Sequence, residues 1–159
     1  MCRMSEFVVR EAIVPDLVET TKEGVIREMV RSLQGAGLFT GCDPDEIVRA
    51  IMRREQLGST GIGRHIAIPH AKHDSVEKLV GTIALSKKGV PFESIDGQQV
   101  FVLVLLISPK DRPGDHLRAL ENVVRSMRND DFVRDLRAAQ TREDVWNLLQ
   151  RDTPGAEKV

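Results

Sequence analysis

Aromatic side chains are scarce: tyrosine does not occur, tryptophan occurs once (Trp146), and Phe, Trp and Tyr together make 4% of the 159 residues. A platform of stacked rings for single-stranded nucleic acid is hard to build from so few. Positive charge is not in excess either, with 23 Lys and Arg against 24 Asp and Glu and a net charge of -1. No basic stripe runs along the sequence, so binding to a nucleic-acid backbone, which draws on clustered cations, is not expected. Cysteine is limited to Cys2 and Cys42, without CxxC spacing or a neighbouring histidine in the sequence. A structural disulfide is therefore not expected, and a reducing, cytoplasmic setting is. The longest apolar run, Val100 to Ile107, is strand-sized and falls far short of the ~20 residues that cross a bilayer. The opening MCRMSEF has no signal-peptide core, so direct membrane insertion is not expected.

What is present suits one globular domain. Hydrophobic residues make 41% and charged residues 30%, and a chain of this length buries enough surface to need no metal or disulfide staple. The domain is expected over residues 1–152, with its first twenty residues packed on it and a polar tail at 153–159.

Apolar spacing predicts a helix from Thr21 through Val25, Ile26, Met29, Val30 and Leu33, stopped by Gly35 and Gly37. Asp43-Pro44-Asp45-Glu46 predicts a second start, with Asp as cap, Pro at the first helical position and Glu three residues after the cap. That helix buries Ile47, Ile51 and Met52 and runs to about Glu55. Gly58, Gly61 and Gly63 then mark a loop leading into a strand at Ile66-Ala67-Ile68. Leu79–Leu85 and Val100–Ile107 read as strands, separated by turn signals at Gly89-Val90-Pro91 and Asp96-Gly97. The second lacks alternation, as a strand covered on both faces does. Three helices close the chain. One starts near Asp115 and buries Leu117, Leu120, Val123, Val124 and Met127. The next spans about Asp131 to Ala138, and the last opens on the Thr141/Asp144 box and buries Val145, Leu148 and Leu149. Phe92, Phe101 and Phe132 are expected in the core. The fold class is α/β, a single-domain sandwich with a mixed central β-sheet flanked by helices.

A nucleotide reading of the glycine loop fails on chemistry. No Gly-Lys-[Ser/Thr] occurs, and after Gly61-Ile62-Gly63 the third glycine's place holds Ile66 and a strand follows. Histidine is the better lead. His65, His70 and His73 cluster in sequence, yet with Asp74 they match no zinc spacing, and no metal is assigned. His73 sits among polar residues. His70 follows an apolar strand and a proline, where the backbone is stiff and the chain leaves the sheet, at the kind of strand end where ligands bind in open α/β sheets. His116 follows the strand Val100–Ile107 through a short loop and can reach the same edge.

Glu55, then Ile62-Gly63, then Ile66-Ala67-Ile68-Pro69-His70-Ala71 resembles the active-site signature of the type-2 enzyme IIA domains of the bacterial phosphoenolpyruvate-dependent sugar phosphotransferase system. This is the fructose, mannitol and nitrogen-regulatory group. The resemblance runs from about Val14 to Gln150, and Leu57–Gly63 and Leu136–Gln140 are most similar to the nitrogen-regulatory members. It implies a transferase component that carries a transient phosphohistidine on His70 Nε2, with His116 as the supporting histidine and Arg54 holding the phosphoryl group. It implies an HPr-type phosphocarrier protein as donor and an enzyme IIB, or a regulatory target, as acceptor. It also implies an apolar docking patch to which Ile62 or Ile66 contributes. No cofactor is called for, and His65 and His73 have no counterpart in the pattern.

The residue types suit such transfer. A neutral imidazole has a lone pair for attack, and the protein's task is to align the groups and meet charge on the phosphoryl oxygens. Ser59 and Thr60 are read as hydroxyl donors to that group or, equally, as plain turn residues. Arg54 is read as a bidentate contact or as a solvated helix end. Beside the regulatory phosphocarrier stand two alternatives: a soluble IIA subunit of a fructose- or mannitol-type transporter, and a binding module that takes no phosphoryl group.

Overall fold

The apolar run from Val100 forms the strand around which the domain is organised. In the computed structural model, which describes residues 3–152, it is β5 (Val100–Ser108), flanked on both sides by other strands. The expected tail at 153–159 and Cys2 lie outside the described residues. On one side β4 (Val80–Val90) pairs antiparallel, Val80 opposite Ile107 and Leu85 opposite Val102. On the other, β2 (Ile66–Ala67) and β3 (His70–Lys72) pair parallel, and β1 (Gly61–Gly63) folds antiparallel onto β2.

β2 and β3 keep one register against β5, with Ile66 opposite Val102 and His70 opposite Leu106. They are one strand interrupted at Ile68-Pro69. Pro69 has no N–H for the ladder, but its carbonyl accepts from the Leu106 N–H at 3.0 Å, so the pairing resumes at once. This corrects the expectation that the chain leaves the sheet at His70: it re-enters the sheet there. β4 also extends beyond the expected Leu79–Leu85. Its irregular stretch between Leu85 and Val90 takes up the turn signal as a bulge, with Gly89 at φ +88°.

Both faces of β5 are covered. Leu103, Leu105 and Ile107 meet the side chains of α2 (Lys22–Gly35) and α3 (Pro44–Gln56), chiefly Val25, Met29, Ile47 and Ile51. Val102, Val104 and Leu106 face the opposite layer. That layer holds α1 (Met4–Phe7), α4 (Pro113–Met127), α5 (Asp130–Ala138) and α6 (Arg142–Arg151). The lead-in packs on the sheet as expected: the Val9 and Val14 N–H groups donate to the carbonyls of Gly81 and Ile83.

Capping follows the sequence. Asp43 accepts from the Asp45 N–H, Thr21 from the Gly24 N–H, and Thr141 and Asp144 form the reciprocal box. Packing differs at several positions. Leu117, expected in the core, is 59% exposed, because α4 turns His116, Ala119, Val123 and Met127 inward. Met52, Leu120, Val124 and Leu148 are half-buried, and Val48 takes the core place beside Ile51. Phe101 is half-buried rather than core, pressed between the His65 ring edge and the Arg137 guanidinium. Ile66 is fully buried and cannot join a docking patch, whereas Ile62 is exposed.

Candidate functional site

The C-terminal end of α3 fixes one wall of the site. Glu55 falls on the buried face of that helix, its side chain 2% exposed, and is held from three directions. The Thr60 N–H and hydroxyl both donate to its carboxylate, and the Lys22 ammonium lies 2.9 Å from it. Lys22 in turn sits over the Phe92 ring. The carboxylate thus clamps the glycine loop to the helix, and the loop carbonyl of Thr60 accepts from the Ile68 N–H, which aligns the strand leading to His70. Removing one partner of a buried pair leaves the other charge uncompensated. Lys22→Ala is expected to lower unfolding free energy by about 2 kcal/mol in urea titration, less than a fully enclosed pair because the ammonium is 14% exposed.

Both loop hydroxyls are therefore engaged elsewhere. Thr60 is buried on Glu55; Ser59 Oγ donates to the Phe92 carbonyl at 2.5 Å and accepts from the Gly61 N–H. Contrary to the reading as phosphate contacts, they are turn residues that tie the loop down. Arg54, one residue before Glu55, donates to the Gly58 carbonyl at 2.9 Å and still lines the cavity with His70.

That cavity, about 430 Å³ and open to the surface, is lined by Ala50, Arg53, Arg54, His70, Lys72 and His116. The two histidines from distant parts of the chain do meet, with ring centroids 5.2 Å apart and planes at 59°. Each ring has one nitrogen already engaged. His70 Nδ1 lies 2.7 Å from the Ile68 carbonyl. A carbonyl only accepts, so Nδ1 carries the proton and Nε2 keeps its lone pair. Burial pushes the His70 pKa down, and the positive charges of Arg54 and Lys72 act in the same direction against the Ile68 hydrogen bond and Glu55. The ring is neutral at pH 7. His116 is 6% exposed, and burial, followed by the proximity of His70 and Lys72, lowers it to about 4. Its Nδ1 contacts the Ser108 hydroxyl at 2.5 Å.

The arrangement is an imidazole with an unengaged Nε2 lone pair at the mouth of a cationic pocket. Arg53, Arg54 and Lys72 make its charged lining cationic, a field that favours anions. Lys72 has a sequence signal, since two residues beyond His70 on a strand is the same face. Ser108 has a weaker one, as the hydroxyl that ends an apolar strand.

The remaining histidines serve local structure. His65, at φ +69°, points Nδ1 at the Gln99 carbonyl and its ring at Phe101. His73 Nδ1 accepts from the Ser75 N–H. His65, His70, His73 and Asp74 do not form a metal-sized group among the described residues, but His73 does approach Cys42 and Glu46, although Cys42 has no histidine near it in sequence. There the proton stays on Nε2, the nitrogen turned toward Glu46, which opposes ligation through it. A larger cavity of about 520 Å³ lies between the lead-in and α2. Of its charged groups, Glu28 accepts from the Val18 and Glu19 N–H groups and Arg27 pairs with Glu23 and Asp45.

Residues 6–152 match the family model described as phosphoenolpyruvate-dependent sugar phosphotransferase system, EIIA 2. The chain belongs to this family. A nitrogen regulatory protein of Bradyrhizobium diazoefficiens is 33% identical over 92% of the chain and 94% of its own length. The fructose-specific EIIABC component of Bacillus subtilis is 31% identical over 94% of the chain, which spans 23% of that longer protein. The crystal structure of nitrogen regulatory protein IIA-Ntr from Neisseria meningitidis superposes with a TM-score of 0.82 at 25% identity, covering 91% of this chain and 97% of that one. Mannitol IIA from Escherichia coli, 22% identical with a TM-score of 0.73 over 89% of this chain and 96% of its own, was solved in complex with phosphorylated enzyme IIB. The expected family and sandwich fold are thus borne out. IIA domains of this family are phosphotransfer components of transferase systems, and no helix among the described residues is long and apolar enough to cross a membrane.

Proposed function

We propose that this chain is a histidine phosphocarrier in which His70 Nε2 accepts a phosphoryl group from the phosphohistidine of an HPr-type protein and holds it as a regulatory signal or passes it on. The observation that carries the reading is the His70 tautomer: a free Nε2 lone pair on a neutral ring that lines an open, cationic pocket. In the transfer an N–P bond forms at His70 Nε2 as the donor's N–P bond breaks, and the donor ring recovers its lone pair. The His70 ring gains positive charge, which the Ile68 carbonyl meets through Nδ1–H. Arg54 and Lys72 face the phosphoryl oxygens. Transfer between two imidazoles is nearly balanced and calls for no metal.

Similarity along nearly the full length of a nitrogen regulatory relative favours the regulatory role. The transport reading rests on the fructose-specific relative and on the IIA–IIB complex of the mannitol system. Incubation with phosphoenolpyruvate, enzyme I and HPr is expected to add one acid-labile phosphoryl group, read by intact mass. An unchanged mass would leave a binding module only. Passage of the label to a fructose- or mannitol-type IIB would favour transport. Arg54→Ala is expected to slow phosphoryl uptake about 10- to 100-fold, the loss of one charge-assisted contact to the transferring group, with Arg54→Lys recovering part of it in the same assay.

A further inference from the structure

Ser108 ends β5 and is fully buried, and its hydroxyl has a single proton to place. Among the described residues its hydrogen-bond partner is His116 Nδ1, at 2.5 Å. Were the ring to donate from Nδ1, the hydroxyl proton would be left in a dry interior without an acceptor, at a cost that buried unsatisfied donors make large. The proton therefore lies on the serine side: Ser108 donates, Nδ1 accepts, and the proton of the ring, which lines the His70 cavity, sits on Nε2. The two rings are set in opposite tautomers. Ile68 holds the proton on Nδ1 of His70, while Ser108 keeps Nδ1 of His116 bare.

We propose that Ser108 is a positioning residue, which fixes His116 as the Nε2–H tautomer so that this ring donates a hydrogen bond to the phosphoryl group carried by His70. The proposal rests on the phosphocarrier reading for its consequence, though not for the tautomer itself. His116 never takes up or releases the phosphoryl group; its Nε2–H bond stays intact, and it stabilises negative charge on an oxygen. A ring locked the other way would present a lone pair to that oxygen and repel it.

Long-range ¹H–¹⁵N correlation of the histidine rings in the unphosphorylated protein at neutral pH tests the assignment without any transfer. In the wild type, His116 is expected to show a bare Nδ1 and a protonated Nε2. Ser108→Ala is expected to shift it toward the other tautomer while leaving His70 unchanged, and to slow phosphoryl uptake about tenfold, the worth of one such hydrogen bond. Ser108→Cys, a weaker donor of similar size, should fall between the two in both readouts. A wild-type His116 protonated on Nδ1 overturns the proposal. So does an alanine variant with wild-type tautomer and rate, or one whose tautomer changes while its rate does not. A wild-type protein that takes no phosphoryl group ends the proposed donation together with the phosphocarrier reading, while the ring correlations still decide the tautomer.

Discussion

His70→Ala protein is expected to keep its unmodified mass after incubation with phosphoenolpyruvate, enzyme I and HPr. The loss should be complete because no other histidine stands in reserve. His116 has Nδ1 on Ser108 and is almost enclosed. His65 and His73 use Nδ1 on the Gln99 carbonyl and the Ser75 N–H, and neither lines the cationic cavity. His70 is itself only half-buried at the rim, so its truncation should leave the fold in place, a point checked by an unchanged urea midpoint within about 1 kcal/mol. A variant that still acquires an acid-labile phosphoryl group would move the acceptor to another ring, and peptide mapping would show which.

The second large effect is on stability in acid. A histidine held at about 4 in the folded chain and near 6.5 when unfolded binds its proton more readily in the unfolded state. The unfolded form is therefore favoured progressively as pH falls from about 6.5 to about 4, and the effect levels off below that. The difference corresponds to about 3 kcal/mol lost across the window. His70, shifted the same way, adds to it. Asp96 and Asp144 carry the opposite type of group: backbone N–H donors hold their carboxylates below the usual range, so their contribution disappears only at still lower pH. The two regimes can be separated. Urea midpoints measured every half unit should fall between pH 6.5 and 4 in the wild type and fall by less in His116→Asn, where only His70 keeps a lowered pKa. Parallel curves for the two proteins would contradict the assignment.

Much of this structure can be read from local signals. The caps at Thr21, Asp43 and Thr141 act within one helical turn, so their consequences are visible in short stretches of chain. The unalternating run of β5 announces a strand covered on both faces, and helices cover both. His70 and His116 were legible as candidates because a stiff Pro69 precedes one and an apolar strand precedes the other. What escaped was set by distance. Glu55 belongs to the buried face of α3, but its partner Lys22 lies on another helix, and nothing near either residue signals the pair. Thr60 looks like a free hydroxyl until that carboxylate is placed beside it. Leu117 follows His116 by one helical step of about 100°, and the core-facing stripe of α4 is His116, Ala119, Val123 and Met127, so Leu117 turns outward. Ser108 reads as the polar end of a strand, and its contact with His116 depends on how the following loop returns the helix.

The in-register break at Pro69 has a further result. His70 pairs with Leu106, and two residues along the same strand Ser108 grips His116, so a single buried β5 carries both halves of the ring pair. Separating the two imidazoles means breaking either the β3–β5 pairing or the Ser108–His116 hydrogen bond. In the proposed phosphocarrier, a dianion on His70 would therefore sit on a ring anchored to the same strand as its neighbour.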